Sequence, residues 1–299
     1  MCFLLDTFGR YQFVYPPISS SFVSIMYNLY KWFVVLLYGH SELERIMVKN
    51  NSGFARTVKI GLCMHLLSSV AEKSFQLSDN IMIRDGLYSL PLPKYAALVF
   101  HEECVQSVIQ IRGYRSLVAR AGALKNSRFS IDDEAHIWNS ILPDEPFSLK
   151  SKRWSDIGFQ GSCPATDFRG MGVLGAENLR YFIKYHKELA LNTFSSSLRP
   201  QEWYPFATVG INLSGLLWRL LQDGTLKTHF YNSLKAAPKL FHLHLVYVYL
   251  FVKFNEFWTQ QPRDIMQFNV LLGTFEEFIR KQMRDENSTL PLPYSGLRF

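Results

Sequence analysis

Residues 241–258 read FHLHLVYVYLFVKFNEFW. Their reading decides the fold. Val246, Tyr247, Val248 and Tyr249 are β-branched or aromatic and suit a strand. A run of this length without glycine or proline suits a buried helix instead, because strands usually span about 4 to 8 residues and helices about 10 or more. We therefore read a buried helix. Upstream, Val209, Leu213, Leu216, Leu217, Leu220 and Leu221 recur at spacings of three and four before Gly224 ends the run. Downstream, a helix starts at Pro262 with Asp264 near its positive end. Its stripe is Ile265, Phe268, Leu272, Phe275, Ile279 and Met283, and Arg280, Lys281 and Arg284 lie near its negative end. The expected fold class is all-α.

Further helices are expected towards the N-terminus. Ser41 and Glu44 form a capping box, and apolar periodicity runs from about Val58 to Phe75. After the LPLPK turn at 90–94, a helix over Ala96–Ile111 is expected to stop at Arg112 and Gly113, with a shorter one after Tyr114. The polar, small stretch 122–130 reads as a linker. Ser130 or Asp132 can cap a helix carrying Ile137, Trp138, Ile141 and Leu142, which Pro143 closes. Leu179–Leu191 is another helical candidate. The expected organisation is an apolar segment over 1–40, an N-terminal helical region over 41–125, a main domain over 130–285 and a flexible tail over 286–299. Within the first segment, residues 18–38 are too interrupted by polar side chains to span a membrane. They suit either a core-packed helix or one lying on a membrane surface with Lys31 snorkelling.

The 299 residues are 48% hydrophobic, enough for a core without staples. Cys2, Cys63, Cys104 and Cys163 form no CxxC pair, which points away from a zinc site and a disulfide framework and towards a cytoplasmic location. The net charge of +7 is spread out, and the densest group, Lys150, Lys152 and Arg153, is too short to track a nucleic-acid backbone. No GxxxxGK[ST] or GxGxxG loop is present, so the chain is not expected to bind or hydrolyse a nucleotide by itself. His242 and His244 lack a third ligand at metal spacing and read as packing or surface histidines, so no metal is expected.

One stretch interrupts the helical pattern, residues 154–174, WSDIGFQGSCPATDFRGMGVL. Gly158, Gly161, Gly170 and Gly172 permit positive φ or close backbone approach, and Pro164 fixes a turn between them. The segment should be bent rather than helical. Trp154, Phe159 and Phe168 can anchor it on the surrounding helices. Asp167, two residues from Arg169, can orient the guanidinium or cap the segment that follows. Two readings of Arg169 stay open on these grounds: an internal pair with Asp167 that holds the loop shut, and a displayed cation.

GFQG at 158–161, the motif from Pro164 through Thr166, Asp167, Phe168, Arg169, Gly170, Met171 and Gly172, and then Leu179, Tyr181 and Phe182 resemble the signature of the short ELMO-domain-containing proteins. WNSILP at 138–143, VGINL at 209–213, KFNEFW at 253–258 and IMQFN at 265–269 continue the resemblance in order, and SELERI at 41–46 extends it more weakly. Cys163 and Ala176 depart from it, standing where an acidic and a larger apolar residue are usual. The resemblance implies a multi-helix fold and GTPase-activating activity toward Arf-family small GTPases, Arf-like ones included. It places the arginine required for that activity at Arg169, acting as an arginine finger, with GTP and Mg²⁺ belonging to the partner. Gln160 is a weaker candidate, for orienting water. A non-catalytic adaptor that binds a small GTPase or an exchange-factor complex is the alternative.

Overall fold

A computed structural model describes residues 3–5, 11–13, 26, 29–30, 32–33, 36–37, 53–64, 92–128 and 131–292. The chain divides into two compact units, Met1–Asn51 and Ser52–Phe299. In the first, β1 (Phe3–Leu5) pairs antiparallel with β2 (Tyr11–Phe13), Leu4 opposite Gln12. Met26, Leu29, Tyr30, Trp32, Phe33, Leu36 and Leu37 are helical and exposed. The capping box at Ser41 lies outside the described residues.

The second unit is helical. Its elements are α1 (Gly53–Met64), α2 (Leu92–Asn126), α3 (Ile131–Ile141), α4 (Gly172–Tyr185), α5 (Lys187–Ser197), α6 (Phe206–Gln222), α7 (Lys227–Ser233), α8 (Leu240–Thr259) and α9 (Phe268–Met283), with 3₁₀ turns at Lys152–Ile157, Pro164–Gly170 and Ile265–Gln267. The all-α expectation holds. The ambiguous stretch is α8, and its side chains from Leu243 to Phe251 are buried on every face. A helix in that position has to be apolar all round, which is why its pattern resembled a strand. It packs on α2, α4, α5 and α6.

Four boundaries differ from the sequence reading. The last helix does not start at Pro262, because Asp264 caps the 3₁₀ turn Ile265–Gln267 and α9 begins at Phe268. Gly113 does not end a helix, because α2 runs on to Asn126 and takes in part of the expected linker. A Cβ on Gly113 would lie 2.5 Å from the Cβ of Ala237, so the glycine serves close packing. The expected Leu179–Leu191 helix begins earlier and is two helices, α4 and α5, broken at His186. The tail is tied down as far as residue 292: Leu290 is buried, its N–H donates to Nδ1 of His229, and Asn232 Nδ2 donates to the carbonyls of Glu286 and Ser288. An interior anchor, not composition, orders that segment.

Asn178, Ser214 and His244 form a paired polar group inside the core. Nδ2 of Asn178 donates to Ser214 Oγ at 3.0 Å, and Oδ1 of Asn178 lies 2.8 Å from Nδ1 of His244. Burial, helped by Arg180 and Arg120, lowers the His244 pKa to about 3, so at neutral pH it is an uncharged partner for Asn178 despite Glu177 at 3.9 Å. Nδ1 of His242 accepts from the backbone N–H of Lys239 at the start of α8. Both histidines have packing or capping roles.

Candidate functional site

The stretch around Arg169 is built from two 3₁₀ turns pinned by aromatic side chains. In the first, Ser151 caps the backbone N–H of Arg153, and Trp154 is fully buried with its indole N–H donating to the Ser148 carbonyl at 3.0 Å. Trp138 of α3 meets Trp154 edge to face at 4.7 Å between centroids. Phe159 follows at 5.4 Å from Trp154, and Phe168 at 5.7 Å from Phe159. Such contacts add about 0.5 to 1.5 kcal/mol each beyond the area they bury. The three predicted anchors are therefore all used, and they fix both turns to the helical core.

Of the four glycines, two are required by the geometry. Gly158 has φ 94°, and a Cβ there would lie 2.4 Å from the backbone nitrogen of Phe206. Its carbonyl instead accepts from the N–H of Thr208 at 3.1 Å and from the Thr208 hydroxyl at 2.7 Å, which caps the start of α6. Gly172 has φ 51° and abuts the end of α2, where a Cβ would be 2.3 Å from the Lys125 carbonyl oxygen and 2.5 Å from that of Ser127. Gly161 and Gly170 have open space around them and no positive φ, so neither is demanded by the backbone.

The second turn carries the candidate cation. Pro164 opens it and is buried, as is Phe168, and the N–H of Met171 closes it on the Phe168 carbonyl at 3.0 Å. Asp167 Oδ2 accepts from the backbone N–H of Gln160 at 2.7 Å, joining this turn to the GFQG segment. The Thr166 hydroxyl divides its one proton between the Cys163 carbonyl at 3.0 Å and Asp167 Oδ1 at 3.2 Å. Arg169 is exposed, and its Nε donates to the Thr166 carbonyl at 3.1 Å. Asp167 and Arg169 do not pair. The carboxylate is engaged inside the loop, and the two terminal guanidinium nitrogens make no hydrogen bond or ion pair among the described residues. The reading of an internal Asp167–Arg169 pair is thereby corrected: neighbours two apart in a 3₁₀ turn of three residues per turn point in different directions.

Clefts lie on both sides of this turn. One of about 510 Å³ is lined by Lys125, Arg128, Phe168, Arg169 and Gly172 among others. The other, about 310 Å³, is lined by Gln160, Asp167, Thr208, Asn212, Arg219 and Leu272 among others. Lys125 and Arg128 fall in the stretch read as a linker, and no local signal ties them to an arginine some forty residues on. Arg153 of the Lys150–Arg153 group is instead paired at the surface with Glu145 at 2.9 Å and Asp156 at 3.1 Å.

Residues 135–272 match the ELMO/CED-12 family. ELMO domain-containing protein 1 of Pongo abelii is 33% identical, covering 90% of this chain and 91% of its own length. Human ELMO domain-containing protein 2 is 31% identical over 88% of this chain and 93% of its own length. ELMO domain-containing protein B of Dictyostelium discoideum is 29% identical over 84% and 93%. No solved structure matches. The family match spans both pinned turns and the smaller cleft but neither α2 nor the Lys125–Arg128 side of the larger cleft, and the chain belongs to the ELMO domain-containing family.

Proposed function

We propose that this protein is a GTPase-activating protein for Arf-family small GTPases, Arf-like ones included, and that it supplies Arg169 in trans as an arginine finger. The observation that carries the reading is the state of Arg169: an exposed guanidinium with both terminal nitrogens uncommitted, on a turn fixed by buried Pro164 and Phe168. The Nε bond to Thr166 restrains the side chain without neutralising it. A pre-oriented cation of this kind meets the charge that develops on the β- and γ-phosphate oxygens, and it needs little reorganisation at that moment. Fingers acting in trans are worth ~10³ to 10⁵ in rate. GTP and Mg²⁺ belong to the partner, so the chain regulates hydrolysis rather than performing it. Gln160 lends its backbone N–H to Asp167 and so helps to hold the loop, and its exposed side chain stays the weaker candidate for orienting water.

Single-turnover GTP hydrolysis by a panel of Arf-family GTPases tests the proposal. The wild-type chain should accelerate at least one of them. Arg169→Ala should lose nearly all of the acceleration and Arg169→Lys most of it, since lysine lacks the planar fork. Undiminished stimulation by Arg169→Ala would overturn the finger. Binding of a GTPase with no acceleration by the wild type would indicate the adaptor instead. We place this activity in the cytoplasm, with peripheral membrane contact through residues 18–38, whose described apolar side chains are exposed.

A further inference from the structure

We infer that the 510 Å³ cleft beside Arg169 is a phosphate-binding seat, in which Lys125 and Arg128 are positioning residues for the phosphate-bearing edge of the partner. Its assignment to the partner's nucleotide rests on the function proposed above. Three cations line it, Lys125 from the last turn of α2, Arg128 just beyond that helix, and Arg169 from the 3₁₀ turn. Among the described residues, no aspartate or glutamate lines it. Neither Lys125 nor Arg128 makes a hydrogen bond or ion pair among the described residues. Four exposed arginines elsewhere, Arg153, Arg199, Arg219 and Arg284, each hold a carboxylate, whereas Arg115 and Arg120 are exposed and hold none among the described residues.

The convergence is also fixed in place. Gly172 follows the arginine turn directly and sits against the carbonyls of Leu124, Lys125 and Ser127, so closely that a Cβ would overlap them. The end of α2 and the Arg169 turn are therefore held together by backbone contact, which keeps the three cations around a common cleft. Like charges gathered around one cavity repel, and an anion with several oxygens removes that repulsion while supplying an acceptor for each cation. A di- or triphosphate fits this chemistry: its charge is spread over many oxygens, and Arg169 can reach one phosphate while Lys125 and Arg128 hold its neighbour or the adjoining acidic edge. Lys125 also lies at the negative end of a helix, where a cation is favoured on its own account. A role limited to that end would alter stability and leave anion affinity unchanged.

Two measurements on the full chain separate these possibilities. With a responsive GTPase, Lys125→Gln/Arg128→Gln should raise the half-saturating concentration about tenfold while the maximal rate changes little, and should flatten its dependence on salt. Arg169→Ala should instead remove the maximal rate. Titration with inorganic pyrophosphate at low ionic strength, followed by NMR, should show saturable binding by the wild type, and about tenfold weaker binding by the double variant. Lys187→Gln/Lys281→Gln removes the same charge outside the cleft and should bind as the wild type does. If the wild type accelerates no GTPase, the finger falls and the pyrophosphate titration alone decides the cleft. No saturable pyrophosphate binding, or equal binding by wild type and the Lys125/Arg128 variant, would overturn the inference. So would an unchanged half-saturating concentration where a GTPase does respond.

Discussion

Asp167 shows how one side chain frees another. Its carboxylate is the obvious partner for Arg169 in a linear reading, yet it accepts the Gln160 N–H and leaves the guanidinium to the solvent. The types needed for the site were legible: an arginine, a carboxylate beside it, breakers around both, and aromatic anchors. Their pairing was not, because it depends on the direction each side chain takes from a 3₁₀ turn. Asp167→Ala should unfasten the second turn from the GFQG segment and cost about 1.5 to 3 kcal/mol, the usual worth of a hydrogen bond to a charged group. Its stimulation of GTP hydrolysis should fall, but less than that of Arg169→Ala, whose own fold should stay within about 0.5 kcal/mol of wild type. Thermal denaturation of both variants beside the hydrolysis assay checks the separation. Stimulation by Asp167→Ala at the wild-type level would show that the Gln160 bond is dispensable.

Among the helices, pattern identified type and missed continuity. Period and length were enough for α6, α8 and α9, whose apolar stripes are long and uninterrupted. They failed for α2, because a glycine inside a helix and a glycine ending one look alike in the sequence. Two glycines now separate the cases. Gly113 in α2 faces Ala237, with a Cβ 2.5 Å from the Ala237 side chain and 2.8 Å from its backbone. Gly273 in α9 has nothing within 4 Å. Replacement by alanine carries the same gain in helix propensity at both, about 0.5 to 1 kcal/mol. Gly273→Ala should raise the urea midpoint accordingly. Gly113→Ala should lower the midpoint, through a loss of more than about 1 kcal/mol of unfolding free energy, since the facing backbone has to move. Equal shifts of one sign would mean that the Ala237 contact yields easily.

At the scale of the molecule, two units carry different surfaces. The helical unit hides most of its large aromatics, Tyr185, Trp203 and Phe278 excepted, whereas the described helical residues of Met1–Asn51 leave Trp32 58% and Leu37 72% exposed. No helix among the described residues is long and apolar enough to cross a membrane. Exposed aromatic and aliphatic side chains of this kind suit the interface of a bilayer. The full chain should therefore float with liposomes containing anionic lipid, and a chain lacking residues 1–40 should stay behind. Equal flotation of both would remove the segment from membrane contact.

The sequence by itself determined the helical class, the place of the bent motif and the family, because apolar period, breaker residues and ordered blocks are local properties of the chain. Tertiary structure alone decided what the motif does with its residues. It engaged Asp167 within the loop, used Gly158 to cap α6 and Gly172 to clasp the end of α2, and brought Lys125 and Arg128 to the side of Arg169. Those relations join positions far apart in the chain. They arise only when burial of Trp154, Phe159 and Phe168 fixes both turns against the core, and no local pattern records them.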